Sequence, residues 1–204
     1  MNKKNSLAVF FIAVLGIALI WVLFFWQPAN DQPLKHTNLE LSGKPVGGDF
    51  TLEIQDKDLS LKDLRGKVVV LYFGYTQCPD ICPTSLALLT QALSQMTEEE
   101  LAGVQSIFVS VDPDRDNVTR LQEYATYFHP NIIGATAEKP VIDEMVKRYG
   151  AAYRVVESDS AVGYLVDHSS YTYLIDKQGK LRKTLAHGTV PATILEELRK
   201  LLAE

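Results

Sequence analysis

The chain has 204 residues, 47% of them hydrophobic, with a formal net charge of −5 and only two cysteines. The acidic balance argues against nucleic acid, or an anionic lipid surface, as the partner of its polar part. No internal repeat, low-complexity tract, P-loop or dinucleotide glycine pattern is present.

Leu7 to Trp26 is a run of 20 residues without a charge, long enough to span a bilayer. It ends in Phe24-Phe25-Trp26-Gln27-Pro28 with no small-residue cleavage pattern, which favours an uncleaved anchor over a signal peptide. Lys3 and Lys4 precede the run and Gln27 to Leu34 holds no Lys or Arg, so residues 1–6 are expected in the cytoplasm and everything after Trp26 outside. The expectation is a single-pass protein of a bacterial inner membrane, with Trp21 and Trp26 at headgroup level and the domain on the periplasmic or outer side. Gln27 to Gly48, polar and carrying Pro28, Pro33, Pro45 and Gly47-Gly48, reads as a tether. Residues 49–204 then form one domain, large enough to bury a core without disulfide staples.

Within it, Phe50 to Ile54 alternates like an edge strand and Val68 to Phe73 is a continuous apolar run, as in a strand covered on both faces. Pro83 to Met96 shows helical spacing, and Thr97-Glu-Glu-Glu100 has the form of a capping box for a further helical turn. Val104 to Val111 reads as a buried strand, Asp112 to Asp116 as a loop, Val118 to Phe128 as a helix stopped by Pro130, and Asn131 to Ala135 as a short strand. Lys139 to Tyr149 looks helical, Tyr153 to Val156 and Tyr171 to Asp176 look like strands, Lys177 to Lys180 like a hairpin turn into Leu181 to Leu185, and Pro191 to Leu202 like a closing amphipathic helix. The order predicts an α/β domain, a central sheet with helices on both faces.

Cys78 and Cys82 lie in Thr76-Gln-Cys-Pro-Asp-Ile-Cys-Pro-Thr84, after the Val68 strand and so at the carboxyl edge of the sheet, where ligands gather in such folds. Two thiols four residues apart can close a disulfide, hold a soft metal, or act as nucleophile and resolving thiol, and the spacing does not choose. Each cysteine precedes a proline, which disfavours the helical basin, and Pro83 suits the first helical position. Cys82 is then expected at the N-cap, where the helix dipole and unpaired N–H groups favour thiolate. Of the four histidines, His36 falls in the tether, while His129 and His187 read as surface residues, His187 the readiest exception. His168, in Val166-Asp-His-Ser-Ser170 just before the Tyr171 strand, is the candidate third ligand.

Tyr72-Phe-Gly-Tyr-Thr-Gln-Cys-Pro-Asp-Ile-Cys-Pro83, Val109-Ser-Val-Asp-Pro-Asp-Arg115 and Val166-Asp-His-Ser169 followed by Tyr173-Leu-Ile-Asp176 resemble the SCO/SenC family, from about Leu41 to Glu204. The resemblance implies a membrane-tethered, thioredoxin-like fold with a central mixed sheet flanked by helices. It implies a copper metallochaperone whose ligands are Cys78, Cys82 and His168, delivering Cu(I) or Cu(II) to the dinuclear copper centre of cytochrome c oxidase. Its partners would be the copper-bearing oxidase subunit, a thiol reductase and another copper chaperone. Gln55 to Ser60 lacks the glycine expected in the turn between the first strands.

Two thiolates and an imidazole form a soft set suited to Cu(I), able to hold Cu(II) with an added ligand; structural zinc wants four protein ligands. Asp167 is a candidate to orient His168 or a plain surface carboxylate, and Asp112 a turn-capping residue that could lie near the same edge. The rival function is a thiol-disulfide oxidoreductase, with Cys78 attacking and Cys82 resolving, that reduces the cysteines of the oxidase copper site. Against it stand the CxxxC spacing and the absence of proline from Gly163 to Val190. A peroxidase fits less well, since that chemistry needs no histidine here.

Overall fold

The computed structural model describes residues 3–25, 37–55, 57–157 and 163–204, the side chains of 3–10 excepted. Contacts divide the chain into two units, Met1–Lys35 and His36–Glu204. The first unit contains α1 (Lys3–Phe25), on which Trp21 stacks against Phe25 at 6.2 Å between ring centroids. Among the described residues no helix is long and apolar enough to cross a membrane. The single-pass inner-membrane placement drawn from residues 7–26 is therefore not upheld. Trp26, the side chains of 7–10, residues 27–36 of the proposed tether including His36, and Asp56 in the first turn lie outside the described residues.

In the second unit, β1 (Thr51–Ile54) and β2 (Lys57–Ser60) make an antiparallel hairpin. The central sheet contains β3 (Val68–Gly74), β4 (Val104–Ser110), β5 (Ile132–Ala135), β8 (Thr172–Ile175) and β9 (Leu181–Leu185) in the order β5-β4-β3-β8-β9. β3, β4 and β5 run parallel; β8 and β9 add antiparallel, which makes the sheet mixed. A second hairpin pairs β6 (Tyr153–Glu157) with β7 (Tyr164–His168). The helices are α2 (Ile81–Leu93), α3 (Glu98–Ala102), α4 (Val118–Phe128), α5 (Lys139–Arg148) and α6 (Pro191–Ala203).

Every residue of β3 is buried, as its unbroken apolar run requires. Alternation along it sorts the two layers. Phe73 packs edge-on to Tyr149, at the end of α5, and to Tyr173 of β8. Tyr72 stacks on Phe108, which packs in turn on Tyr124 of α4. The capping box read at Thr97 is present: Thr97 Oγ1 accepts from the Glu100 N–H at 3.2 Å, and Glu100 Oε2 accepts from the Thr97 N–H at 2.9 Å. Segment 38–48 lies along the domain, with Leu39 N–H donating to the His168 carbonyl and Ser42 Oγ to that of Ala151, each polar group finding a backbone partner.

The α4 layer sits so close to β5 that a Cβ on Gly134 would fall 2.2 Å from the Leu121 carbonyl oxygen. Backbone cannot retreat as a side chain can, so Gly134→Ala should cost about 1–3 kcal/mol or more. Urea unfolding of the variant checks this, and an unchanged midpoint would contradict the packing.

Candidate metal centre

β3 delivers the chain to the carboxyl edge of the sheet, where α2 begins. β8 runs antiparallel to β3 with Thr172 opposite Tyr72, so the residues entering β8 must pass the same edge. His168 closes β7 four residues before that point, and topology alone returns it to the cysteines. Sγ of Cys82 is 3.2 Å from His168 Nε2. One donor atom each from Cys78, Cys82 and His168 falls within 4.8 Å of the others, so the three could together hold a metal ion. All three predicted ligands are brought together.

Three features of their setting are not evident from the sequence. His168 ends a strand, and the site is part of the packed interior: Cys82 is 0% exposed, His168 1% and Cys78 6%. The helix begins earlier than Pro83 suggested, with Asp80 at its N-cap, so Cys82 sits inside its first turn. Asp80 makes no side-chain capping bond; instead the Cys82 N–H donates to Cys78 Sγ at 3.4 Å, and Cys78 supplies the acceptor that the helix start lacks. Thirdly, Cys82 is not favoured as thiolate. Burial, then the neighbouring Cys78, pushes its pKa well above the usual thiol value. The helix terminus is outweighed by loss of solvent.

His168 Nδ1 lies 3.2 Å from the Ser169 carbonyl oxygen. A carbonyl can only accept, so Nδ1 carries the proton and Nε2 presents its lone pair toward Cys82, the tautomer a metal ligand needs. Asp167 takes no part in this. Neighbours on a strand point to opposite sides, and its carboxylate accepts from Arg154 at 2.9 Å, across the hairpin, and from the Thr37 N–H at 2.9 Å. Tyr72 and Tyr75 pack edge-on to the imidazole at 6.2 and 6.0 Å. Gly74 leaves room for the sulfur, since a Cβ there would stand 2.7 Å from Cys82 Sγ.

Two acidic residues brace the site. Asp112 is buried: it accepts from Arg115 Nε at 2.5 Å and the Tyr164 hydroxyl at 2.7 Å, and its carbonyl caps the turn through Arg115 and Asp116 N–H. Arg115 also donates to the Tyr164 carbonyl and lies 3.5 Å over that ring, fastening β7 to the loop after β4. Burial and the Asp112 carboxylate push the Tyr164 phenol up to about 12, so it stays a donor. Asp116, overlooked in the sequence, accepts from the Thr76 N–H, Thr76 Oγ1 and Ser110 Oγ at 2.9, 2.5 and 2.7 Å, fixing the start of the cysteine loop. The other two described histidines, His129 and His187, stand apart from the trio. His129 Nδ1 accepts from the Asn131 N–H; exposed His187 has Nδ1 2.9 Å from Ser85 Oγ, one helical turn beyond Cys82.

Residues 39–203 match the SCO1/SenC family model. The chain belongs to that family. An SCO2-like protein of Rickettsia conorii is 33% identical over 188 residues, 91% of each chain. Copper-bound ScoI of Bradyrhizobium japonicum superposes with a TM-score of 0.70 at 32% identity, over 77% of this chain and 99% of that one. BsSco, described as having a disulfide switch and as a member of the Sco family of cytochrome c oxidase assembly proteins, gives 0.60 at 24% identity, over 81% and 98%. The thioredoxin-like fold and the mixed sheet expected from the sequence are those of the family.

In the reduced, metal-free protein the two thiols should alkylate unequally. Cys78, the more exposed, should react with iodoacetamide at least about tenfold faster than Cys82 at pH 8, and the Cys82 rate should keep climbing beyond the ordinary thiol pKa. Peptide mapping of quenched samples reads both rates; equal rates would contradict the burial and the raised thiol.

Proposed function

We propose that this protein is a copper metallochaperone in which Cys78, Cys82 and His168 hold the ion as cargo and pass it to the dinuclear copper centre of cytochrome c oxidase. The observation that carries the reading is the convergence of two thiol sulfurs and an imidazole lone pair within 4.8 Å. That donor set is soft and three-membered, which suits Cu(I) and leaves room for a further ligand with Cu(II). Copper bound to the Bradyrhizobium relative and the oxidase-assembly description of BsSco support the cargo and the recipient.

Hand-over proceeds by ligand exchange. It begins at Cys78, the least deeply buried of the three, while Cys82 and His168 keep hold from inside. Loading needs both thiols reduced, because a disulfide sulfur has no thiolate charge to offer. A thiol reductase is therefore a second partner, and another copper chaperone is the source of the ion.

The second reading, a thiol-disulfide oxidoreductase acting on the oxidase cysteines, is favoured by one observation. Cys78, the more exposed sulfur, sits beside the Cys82 N–H, so attack by Cys78 and resolution by Cys82 would need little rearrangement. Each such cycle oxidises the pair to a disulfide, releasing two electrons and two protons to the substrate disulfide.

Anaerobic titration of the reduced protein with Cu(I) against a competing chelator separates the two. One tight equivalent is expected, weakened at least about tenfold in His168→Ala and abolished in Cys78→Ser or Cys82→Ser. Weak binding indifferent to His168 would transfer the assignment to the oxidoreductase.

A further inference from the structure

Tyr72 and Gly74 lie on one face of β3, two residues apart, which spaces them by about 6.6 Å along the strand. The Cys82 sulfur lies directly over Gly74. The Tyr72 ring stands edge-on to His168 at 6.2 Å, with an interplanar angle of 89°, and only 2% of the residue is exposed. Its hydroxyl faces Cys82, Ser85 and Ser170, yet reaches hydrogen-bonding geometry with none of them.

The two serines make hydrogen bonds elsewhere. Ser85 Oγ pairs with His187 Nδ1 at 2.9 Å, and Ser170 Oγ donates to the His168 carbonyl at 3.4 Å. The hydroxyl of Tyr75, the other tyrosine against the imidazole, accepts from the Val166 N–H. A buried hydroxyl left without a partner is destabilising and calls for a reason. The adjacent sulfur provides one. A neutral thiol is a weak acceptor, whereas a thiolate is a strong one. Binding a metal removes the Cys82 proton and converts the weak acceptor into the strong one beside an idle donor.

We propose that Tyr72 is a positioning residue which donates a hydrogen bond to the Cys82 sulfur in the metal-bound protein, setting how tightly copper is held and which oxidation state is preferred. The proposal rests on the copper reading of the site. A hydrogen bond withdraws electron density from a thiolate, and its loss favours Cu(II) over Cu(I).

Tyr72→Phe removes the hydroxyl and keeps the ring, so the full-length protein tests the idea directly. The metal-free variant should melt at the wild-type temperature or slightly above it, because the lost group had no partner. Its Cu(I) affinity should fall about tenfold, its Cu(II)/Cu(I) potential should drop, and the sulfur-to-Cu(II) absorption should move to lower energy. Fluorotyrosine at position 72, a stronger donor, should move the absorption the other way, which a packing role would not do. Wild-type binding combined with unchanged affinity, potential and absorption in both variants would overturn the proposal and leave the copper reading standing. A wild-type protein that binds no Cu(I) would overturn both.

Discussion

The contact between the Cys82 sulfur and the His168 imidazole joins points 86 residues apart, and much of the architecture serves to make it. β3 sets the first partner at the sheet edge. The antiparallel addition of β8 obliges the chain to return there, and β7 carries His168 to the turn. A parallel β8 would enter the sheet from the opposite edge and leave the histidine a strand length away, roughly 20 Å. The mixed sheet is thus what the meeting of the two residues requires, because it brings both donor-bearing segments to one side.

Holding that meeting point steady falls to buried carboxylates. Asp116 ties the cysteine loop to the end of β4, and Asp112 with Arg115 ties the loop after β4 to Tyr164 at the start of β7. Both segments that carry donors are therefore referred to the same short stretch, Ser110 to Asp116. Each carboxylate is taken out of water, which is tolerable only because every one accepts two or more hydrogen bonds. Removing either acid would strand its buried donors as well as loosen a loop, so the bracing and the stability of the domain cannot be separated.

Much of this was legible locally. The apolar run of β3, the Val118 to Phe128 helix stopped before Pro130 and the Thr97 capping box are short-range signals, and the structure reproduces them. The cysteine pair and His168 were legible by residue type. What stayed hidden depends on distant partners. Tyr164–His168 carries no clear strand signal, since Asp167 and His168 give its end a loop-like polarity; Arg154 opposite Asp167 makes that charge acceptable in a hairpin. The start of α2 reads late, at Pro83, because a proline suits the first helical position. Within the first turn a proline loses no helical hydrogen bond, so Pro83 sits inside the helix at no cost in backbone pairing. Asp116 carries no local mark, since its partner Thr76 is 40 residues away.

For the proposed carrier, which must bind firmly and still let go, graded burial reconciles the two. Cys82 and His168 lie in the interior, where electrostatic attraction to a cation is strong; Cys78 lies at the margin. Without metal, desolvation holds Cys82 as a neutral thiol, so the empty site does not confine a pair of thiolate charges. Metal binding reverses that balance, since the cation compensates the charge that burial opposes. The same burial that protects the empty site therefore makes its loaded state depend on the ion. Release then requires an incoming ligand to take over at Cys78 before Cys82 is left with a charge it cannot solvate, which favours transfer to another thiolate-bearing site over loss to water.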